Sequence, residues 1–355
     1  MTYRIAIAGI GAVAEIHATA IGDIDGATVV AGSCRTESTG REFATRFDCD
    51  YYRDTEAMLD RADVDVLSVC TPSGAHLEPT LAAAERGIDV LCEKPLEITT
   101  DRIDEMIDAC EGAGVRLGGV FQQRFNPVMR TVRDAAAEGR FDGLSLANAY
   151  IPWWREDDYY DGAWQGTRDL DGGGALMNQS IHGVDAVQWI AGAAHDGDEN
   201  PVEEVFAYTD TLAHGDDILE VEDTAVAVLR YRNGALGQIL GATSMYPGSL
   251  KRIQLSGRGG TAEVLEDELV TWQFREESAA DERTRERFTE TASGGGAADP
   301  MDIDYANHRR NIEAFLSTLG TDERYALDGA EARTAVEIIT AIYESAASSQ
   351  PVGLD

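Results

Sequence analysis

The amino-terminal third of the chain alternates short apolar runs with amphipathic segments. Amphipathic stretches such as Thr100–Gly112, with Thr99 or Thr100 as N-cap, are predicted as helices. The apolar runs are predicted as buried strands over Tyr3–Ala8, Thr28–Ala31, Val64–Cys70, Asp89–Cys92 and Val115–Val120. Strict alternation of strand and helix predicts a doubly wound parallel sheet, the Rossmann type of α/β fold.

The pattern changes near residue 122, where strands begin to follow one another directly. Pro127–Glu138 is predicted as a helix, and Leu144–Pro152 as a strand. Six further strands are predicted at Val205–Leu212, Asp223–Tyr231, Leu236–Ser244, Arg252–Ser256, Thr261–Leu265 and Leu269–Phe274. We therefore expect a Rossmann domain over residues 1–122. An α+β domain over residues 123–355 follows, with a large, mainly antiparallel open sheet flanked by helices. The sequence leaves open whether the closing helices pack back on the first domain.

An open sheet with helices on one face leaves its other face to be covered. We therefore expect a homo-dimer or homo-tetramer that forms through the carboxy-terminal sheet. The segment Glu276–Pro300 is charged and then rich in glycine and alanine, and it is predicted as a loop.

The composition excludes several classes of partner. A net charge of −35 over 355 residues repels nucleic acid and anionic membranes. Abundant acids with few lysines are typical of halophilic proteins from a high-salt cytoplasm. No apolar run reaches the length of a membrane span and no signal-peptide layout is present, so a cytoplasmic location is expected. Five cysteines without a Cys-x-x-Cys pair predict neither a disulfide nor a zinc site.

The first strand runs into a glycine motif of the form G-x-G-x-x-A. In such a motif the first glycine permits a tight turn, and the second lets a pyrophosphate approach the backbone. The alanine lets the helix pack on the strand. The motif consists of Gly9, Ile10, Gly11, Ala12, Val13 and Ala14. Because it lies at a strand–helix junction, it predicts dinucleotide binding at the helix N-terminus.

The residues after the second strand bear on the choice of cofactor. An acidic residue there would bind the ribose 2′-hydroxyl of NAD, but Gly32–Thr36 contains no carboxylate. Ser33, Arg35 and Thr36 are suited to a 2′-phosphate. We therefore favour NADP and keep NAD as the alternative.

The ends of the third and fourth predicted strands provide further candidates. Ligands of open α/β sheets bind at the carboxyl ends of the strands, which places Thr71, Pro72, His76, Glu93 and Lys94 at the cofactor. The chain has two lysines and 27 arginines. Arginine stays protonated in proteins, whereas a lysine can shift its pKa. Lys94 is therefore the first candidate for proton chemistry.

A glycine run, Gly172–Gly174, precedes a predicted helix in the second domain. On an α-helix Asn178, His182 and Asp185 would share one face. We expect a functional role for His182 and no metal at His182 and Asp185. The preceding loop is aromatic and polar, and Tyr160, Trp164 and Arg168 in it suit a hydroxyl-rich ligand. His195 and His214 are predicted to lie in polar loops without a function.

Several of these motifs together resemble the Gfo/Idh/MocA oxidoreductases, the relatives of glucose–fructose oxidoreductase and inositol dehydrogenase. The resemblance covers nearly the whole chain. It is carried by Gly9–Ala14, Glu93–Pro95, Arg124–Pro127, Gly172–Met177 followed by His182, and Asp328–Glu331. It implies a hydride transfer between a nicotinamide and a secondary alcohol or ketone of a sugar, a sugar derivative or a nucleotide sugar.

The resemblance also implies residue roles. Lys94 and His182 would act on the substrate hydroxyl, with His182 as general base and Lys94 stabilising the alkoxide. Gln122 and Trp164 would border the nicotinamide. Asn178 stands where many relatives have Asp and would hydrogen-bond the substrate, because an amide cannot act as a base. This Asn is similar to the nucleotide-sugar 3-dehydrogenase branch.

Two alternatives stay open from the sequence. One is a redox-neutral glycosidase that keeps its NAD bound through turnover. The other is a cofactor-sensing regulator without catalysis, which the intact Lys94 and His182 do not favour.

Overall fold

The computed structural model describes residues 2–195, 197, 199–215, 217–288 and 305–354. The chain forms two compact units. The first consists of Met1–Gln122 and Asp304–Arg333, and the second of Gln123–Ile303 and Thr334–Asp355. The first unit thus takes up a late segment of the chain. Within the described residues, no helix is both long enough and apolar enough to cross a membrane.

The first unit is built on a six-stranded parallel sheet in the order β3-β2-β1-β4-β5-β6. This is the order of a doubly wound dinucleotide-binding fold, and it confirms the predicted fold class. Its strands are β1 (Tyr3–Ala8), β2 (Ala27–Ser33), β3 (Asp50–Tyr52), β4 (Val66–Val69), β5 (Asp89–Cys92) and β6 (Leu117–Gly119). Its helices up to this point are α1 (Ala12–Gly22), α2 (Glu37–Phe47), α3 (Thr55–Arg61), α4 (Leu77–Ala84) and α5 (Thr100–Ala113).

Local sequence explains these elements. Residues 5–8 of β1 are buried on both faces, as expected for a central parallel strand covered by helices on either side. Helix α5 begins where the Thr99 hydroxyl accepts the N–H of Arg102, and it ends at Gly114 in the left-handed conformation. The loops after β1, β2, β4 and β5 consequently emerge at the same edge of the sheet.

The second unit carries an eight-stranded sheet in the order β13-β12-β11-β7-β10-β9-β8-β14. All its pairs are antiparallel except β7 with β10. The strands are β7 (Leu144–Pro152), β8 (Val202–Asp210), β9 (Thr224–Tyr231), β10 (Leu236–Ala242), β11 (Arg252–Gly257), β12 (Gly260–Leu265), β13 (Glu268–Phe274) and the short β14 (Val352–Gly353). The mainly antiparallel sheet is confirmed, whereas β14 was not predicted.

Helices cover one face of this sheet. They are α6 (Pro127–Ala137) and α7 (Ile181–Gly192), which pack on β7, β11 and β12. The other face exposes large apolar side chains, because the strands alternate buried and exposed positions. The most exposed of them are Tyr208, Val228, Leu236, Val270 and Leu146.

The prediction of a loop over Glu276–Pro300 is partly wrong. Residues Ala279–Phe288 form helix α8. Its Asp281 is buried and binds the Arg140 guanidinium at 2.7 Å and the Trp272 indole N–H at 2.7 Å. These contacts tie the charged segment to β13. The remainder of the predicted loop, from 289 to 300, lies outside the described residues.

Two closing helices follow, α9 (Ala306–Thr318) and α10 (Gly329–Ser348). Helix α9 packs against α1 within the first unit. The side chain of Asn311 accepts the N–H of Phe121 at 3.2 Å and donates to the carbonyl of Gly119 at 3.3 Å. Helix α9 is therefore hydrogen-bonded to the end of β6.

Candidate active site

The glycine turn after β1 fits a dinucleotide. Gly9 has a φ of +88°, and a Cβ there would lie 2.6 Å from the Thr71 nitrogen. A Cβ on Gly11 would meet no atom of the described residues within 4 Å, so these residues leave space in front of the α1 N-terminus. Gly11 is the N-cap and offers no side chain to the first N–H groups of the helix. The residues present thus suit a pyrophosphate at this helix end.

The residues predicted to contact the ribose of the cofactor lie at the end of β2 and just after it. Arg35 and Thr36 are exposed. Ser33 is buried, and its hydroxyl lies 2.9 Å from that of Thr55. The contact of Arg35 and Thr36 with a 2′-phosphate stays a prediction, whereas Ser33 holds α3 against the strand end.

His76 has a different role from the predicted cofactor contact. It is buried, and its Nδ1 lies 2.8 Å from the carbonyl oxygen of Pro95. Its Nε2 lies 2.8 Å from the carbonyl oxygen of Thr71. Because both ring nitrogens are taken up by backbone carbonyls, His76 links the loops after β4 and β5, and the predicted contact is corrected to a supporting role.

Glu93 and Lys94 follow β5 directly, as predicted. Lys94 is half-buried, and its peptide bond to Pro95 is cis. Glu93 is buried, and its carboxylate accepts the backbone N–H of Lys94 at 3.1 Å. The Glu93 side chain also meets His17, and we assign it to holding the loop rather than to binding the cofactor. Gln122 is buried at the start of a short 3-10 turn, Gln122–Phe125.

In the second unit, the glycine run is required by packing. A Cβ on Gly173 would lie 2.1 Å from the Tyr343 hydroxyl, and one on Gly174 would lie 2.1 Å from the Glu222 carbonyl oxygen. The Glu222 carboxylate accepts the N–H of Gly174 at 3.0 Å and that of Leu176 at 2.8 Å. Burial raises the pKa of Glu222. The glycine run thus lets the following helix approach the Glu222 carboxylate closely enough for these hydrogen bonds.

The predicted single α-helical face is wrong, because Ala175–Ser180 forms a π-helical turn. The N–H of Gln179 reaches the carbonyl of Gly174, five residues back, at 3.4 Å. Only from Ile181 does the chain continue as α7, with His182 half-buried in its first turn. Asn178 and His182 therefore lie on different kinds of helix. Such π-helical turns occur frequently at functional sites.

Asn178 belongs to a chain of polar side chains. Its amide donates to the Asp171 carboxylate at 2.5 Å, and its carbonyl accepts from Gln179 at 3.1 Å. Arg155 in turn donates to the Gln179 carbonyl at 3.0 Å, and Gln179 donates to the Tyr159 hydroxyl at 2.9 Å. The orientation of the Asn178 amide is thereby fixed. Sequence reasoning missed Arg155, Asp171 and Gln179.

Asp185 lies in the core and forms an ion pair. It is fully buried, and the Arg124 guanidinium binds it with two hydrogen bonds, at 2.8 and 2.5 Å. Arg124 is itself buried and lies over the Trp189 ring. The carboxylate serves to neutralise a buried cation, which is why the predicted contact with substrate is corrected.

The three residues predicted in the aromatic loop differ in their surroundings. Tyr160 is buried against Leu219 and Val221, and burial raises the pKa of its phenol, so its assignment as a substrate ligand is corrected to a core position. Arg168 is exposed and donates to the Glu220 carbonyl at 2.7 Å. Trp164 is half-buried and stays a candidate ligand.

His214 is not a loop residue without a role. It is buried, with Nδ1 3.0 Å from the Asp223 carboxylate and Nε2 2.9 Å from the Arg155 carbonyl oxygen. The hydrogen bond to Asp223 raises the pKa of His214. The histidine therefore anchors the backbone of Arg155, the residue that orients Gln179.

Comparisons with known proteins agree with this architecture. Residues 3–121 match the description "Oxidoreductase family, NAD-binding Rossmann fold", and residues 129–263 match "GFO/IDH/MocA C-terminal domain". The chain belongs to the GFO/IDH/MocA oxidoreductase family. It is an NAD(P)-dependent oxidoreductase, as the sequence predicted.

Three similar proteins show how the chain relates to known enzymes. The WlbA dehydrogenase of Bordetella pertussis, solved with NADH and UDP-GlcNAcA, is 31% identical, with a TM-score of 0.88 over 100% of this chain and 98% of that one. Myo-inositol 2-dehydrogenase of Thermotoga maritima is 29% identical over 72% of this chain and 73% of its own length. D-xylose 1-dehydrogenase (NADP(+)) 2 of Haloferax volcanii is 29% identical over 86% and 85%.

Proposed function

We propose that this GFO/IDH/MocA oxidoreductase acts on a secondary alcohol or ketone of a nucleotide-linked sugar. The observation that carries the proposal is the likeness to WlbA along both chains, at 31% identity. Asn178 also supports the proposal. Its amide is hydrogen-bonded to Asp171 and Gln179, and an amide can bind a sugar hydroxyl but cannot act as a base. In this proposal the first unit binds the cofactor and the second unit binds the sugar.

The residue roles follow from side-chain chemistry. A bound nicotinamide accepts or gives the hydride at C4. His182, half-buried at the start of α7, takes the hydroxyl proton in the oxidative direction. Lys94 stabilises the developing alkoxide with its ammonium group, and Asn178 orients the sugar by hydrogen bonds. When the cofactor is bound, Trp164 and Gln122 would border its nicotinamide ring.

We favour NADP as the cofactor. The exposed Arg35 and Thr36 support this preference, since no carboxylate follows β2 at the position that would bind a free 2′-hydroxyl. The family includes members of both kinds, as the NADP(+) in the name of the Haloferax volcanii relative and the NADH bound to WlbA illustrate.

A substrate panel tests the function. Free sugars, inositols and UDP-linked sugars are each incubated with NAD and with NADP, and reduction of the free cofactor is followed by its absorbance. We expect turnover with a UDP-linked sugar and a higher kcat/KM with NADP. Turnover of free sugars alone would contradict the nucleotide-sugar assignment. Sugar cleavage without net cofactor reduction would identify the redox-neutral glycosidase, and binding without reaction would identify the regulator.

We propose further that the protein works in a high-salt cytoplasm and pairs with a second copy through its carboxy-terminal sheet. The apolar outer face supports pairing, because Tyr208 and Val228 are 68% and 53% exposed. Val228→Glu would place a charge on that face in each copy. We expect the molar mass from light scattering to fall to that of one chain in this variant. An unchanged mass would contradict pairing through this sheet.

A further inference from the structure

A buried cluster of one carboxylate and two imidazoles lies behind the end of β5, and the proposed function does not use it. It consists of His17 on α1, Glu93 and His308 on α9, with exposed fractions of 0%, 7% and 3%. Nε2 of His17 lies 2.8 Å from Oε1 of Glu93, and Nε2 of His308 lies 4.0 Å from the same oxygen. All three belong to the first unit.

The cluster has the geometry of a hydrogen-bond network. Its ligand-type atoms lie within 4.8 Å of one another, which is the arrangement of a possible metal site. Two ligands of one tetrahedral zinc ion, however, lie about 3.3 Å apart. The 2.8 Å between His17 and Glu93 is a hydrogen-bond distance, and Nδ1 of His17 lies another 2.8 Å from the Ser68 hydroxyl.

Glu93 connects this network to Lys94. One carboxylate oxygen, Oε1, faces the two histidines. The other, Oε2, accepts the backbone N–H of Lys94 at 3.1 Å. A change in the charge or position of the carboxylate therefore reaches Lys94 directly.

The positive charge of His17 and the negative charge of Glu93 stabilise each other. Burial raises the pKa of the Glu93 carboxyl, but the hydrogen bond and charge of His17, with the charges of His308 and Lys94, outweigh it and lower that pKa to about 2. Burial likewise lowers the pKa of His17, but Cys70 and Glu93 outweigh it and raise that pKa to about 10. Near neutral pH the pair is thus an anion beside a cation.

Other titratable groups also face the cluster, and Cys70 contributes more than Glu93 to the raised pKa of His17. Burial raises the pKa of Cys92 well above its usual value, which keeps that thiol neutral. The buried Glu97 carboxylate is bound by Arg102 at 2.9 Å. Besides these, His308 and Cys70 face the pair. Glu93 accepts the backbone N–H of Lys94 and is hydrogen-bonded to His17, so these two residues connect the cluster to Lys94.

We propose that His17 is a positioning and charge-balancing residue for Lys94, acting through Glu93. Its hydrogen bond fixes the carboxylate that holds the Lys94 backbone, and its positive charge cancels the charge of that carboxylate. Without the cation, Glu93 would favour the ammonium form of Lys94 and raise its pKa. The inference rests on the proposed role of Lys94 in the reaction.

The scarcity of lysine allows a direct test without substrate. Reductive methylation with ¹³C-formaldehyde labels Lys94, Lys251 and the terminal amine, and Lys94→Arg and Lys251→Arg assign the signals. In His17→Gln we expect the NMR titration midpoint of Lys94 to rise by about half a pH unit or more, while that of Lys251 stays in place. An unmoved Lys94 titration in the folded variant overturns the proposal.

Kinetics separate this role from a general loss of stability. We expect His17→Gln to lower kcat about tenfold, to move the pH profile of kcat upward with Lys94, and to leave the Kd for the dinucleotide within about twofold. Asp281→Asn, a buried carboxylate of the second unit, is the matched control for stability. A loss of kcat without a shift of the profile, or the same shift in Asp281→Asn, would speak against the inference.

Two measures keep the test decisive. Should His17→Gln fail to fold, His17→Asn replaces it, and the same rise of the Lys94 midpoint is expected because the cation beside Glu93 is again removed. An unmoved midpoint in that variant would equally contradict the proposal. Since the NMR titration needs no turnover, it decides the role of His17 even where Lys94 proves dispensable for the reaction.

Discussion

Lys94→Met is expected to abolish turnover, with a fall in kcat of at least about a thousandfold, while dinucleotide binding persists. Lys94 lies in the loop that follows β5, and it is half-buried. Methionine has a similar length but offers no charge to a developing alkoxide, and electrostatic stabilisation is commonly the largest contribution to catalysis. Initial rates and fluorescence titration of the reduced cofactor measure the two effects separately.

Lys94→Arg is the matched control for this substitution. Arginine keeps the positive charge but does not release its proton. Partial activity in Lys94→Arg, together with an inactive Lys94→Met, would support electrostatic stabilisation by Lys94 with His182 as base. Near-normal kcat in Lys94→Met would refute the assignment altogether.

Asp185→Leu is expected to cause the largest loss of stability. It leaves the Arg124 guanidinium, which is 4% exposed, without its bidentate carboxylate. Breaking a buried ion pair from one side costs about 3–5 kcal/mol of unfolding free energy. We expect the melting temperature of the second unit to fall by roughly 10 °C. Trp189, whose ring lies 5.4 Å from the Arg124 guanidinium, provides a fluorescence signal at the site.

Two further variants make this result specific. The double variant Arg124→Met with Asp185→Leu removes both charges and should recover much of the loss, because no buried charge is left uncompensated. Asp142→Asn breaks an ion pair of similar length with Arg258 at the surface and should leave the melting temperature unchanged. Equal losses in Asp185→Leu and Asp142→Asn would contradict the buried-charge explanation.

The parts of the fold that depend on neighbouring residues could be predicted from the sequence. The turn at Gly9 follows from a positive φ that glycine adopts without strain. The position of Lys94 follows from parallel strands, whose carboxyl ends share one edge. The strands of the second sheet follow from short runs rich in apolar and β-branched residues, as at β9.

The remaining features depend on partners far along the chain. Asp185 and Arg124 are 61 residues apart, and His17 and Glu93 are 76 apart, so no local pattern relates them. The π-helical turn at Asn178 was missed for another reason. Every residue of Ala175–Ser180 is buried, and a segment buried all round shows no periodicity that would separate a π-helix from an α-helix.

The composition of the first unit has a consequence for protein synthesis. Its sheet is encoded within residues 1–122, but helix α9, which packs on α1 and hydrogen-bonds to the end of β6 through Asn311, is encoded after almost the entire second unit. Domains generally fold in the order in which they leave the ribosome. In this chain the first domain to be synthesised lacks one of its helices until α9 has also been synthesised. The surface of α1 that α9 covers therefore stays exposed until residues 306–318 have been synthesised, which happens after residues 123–303 of the second unit.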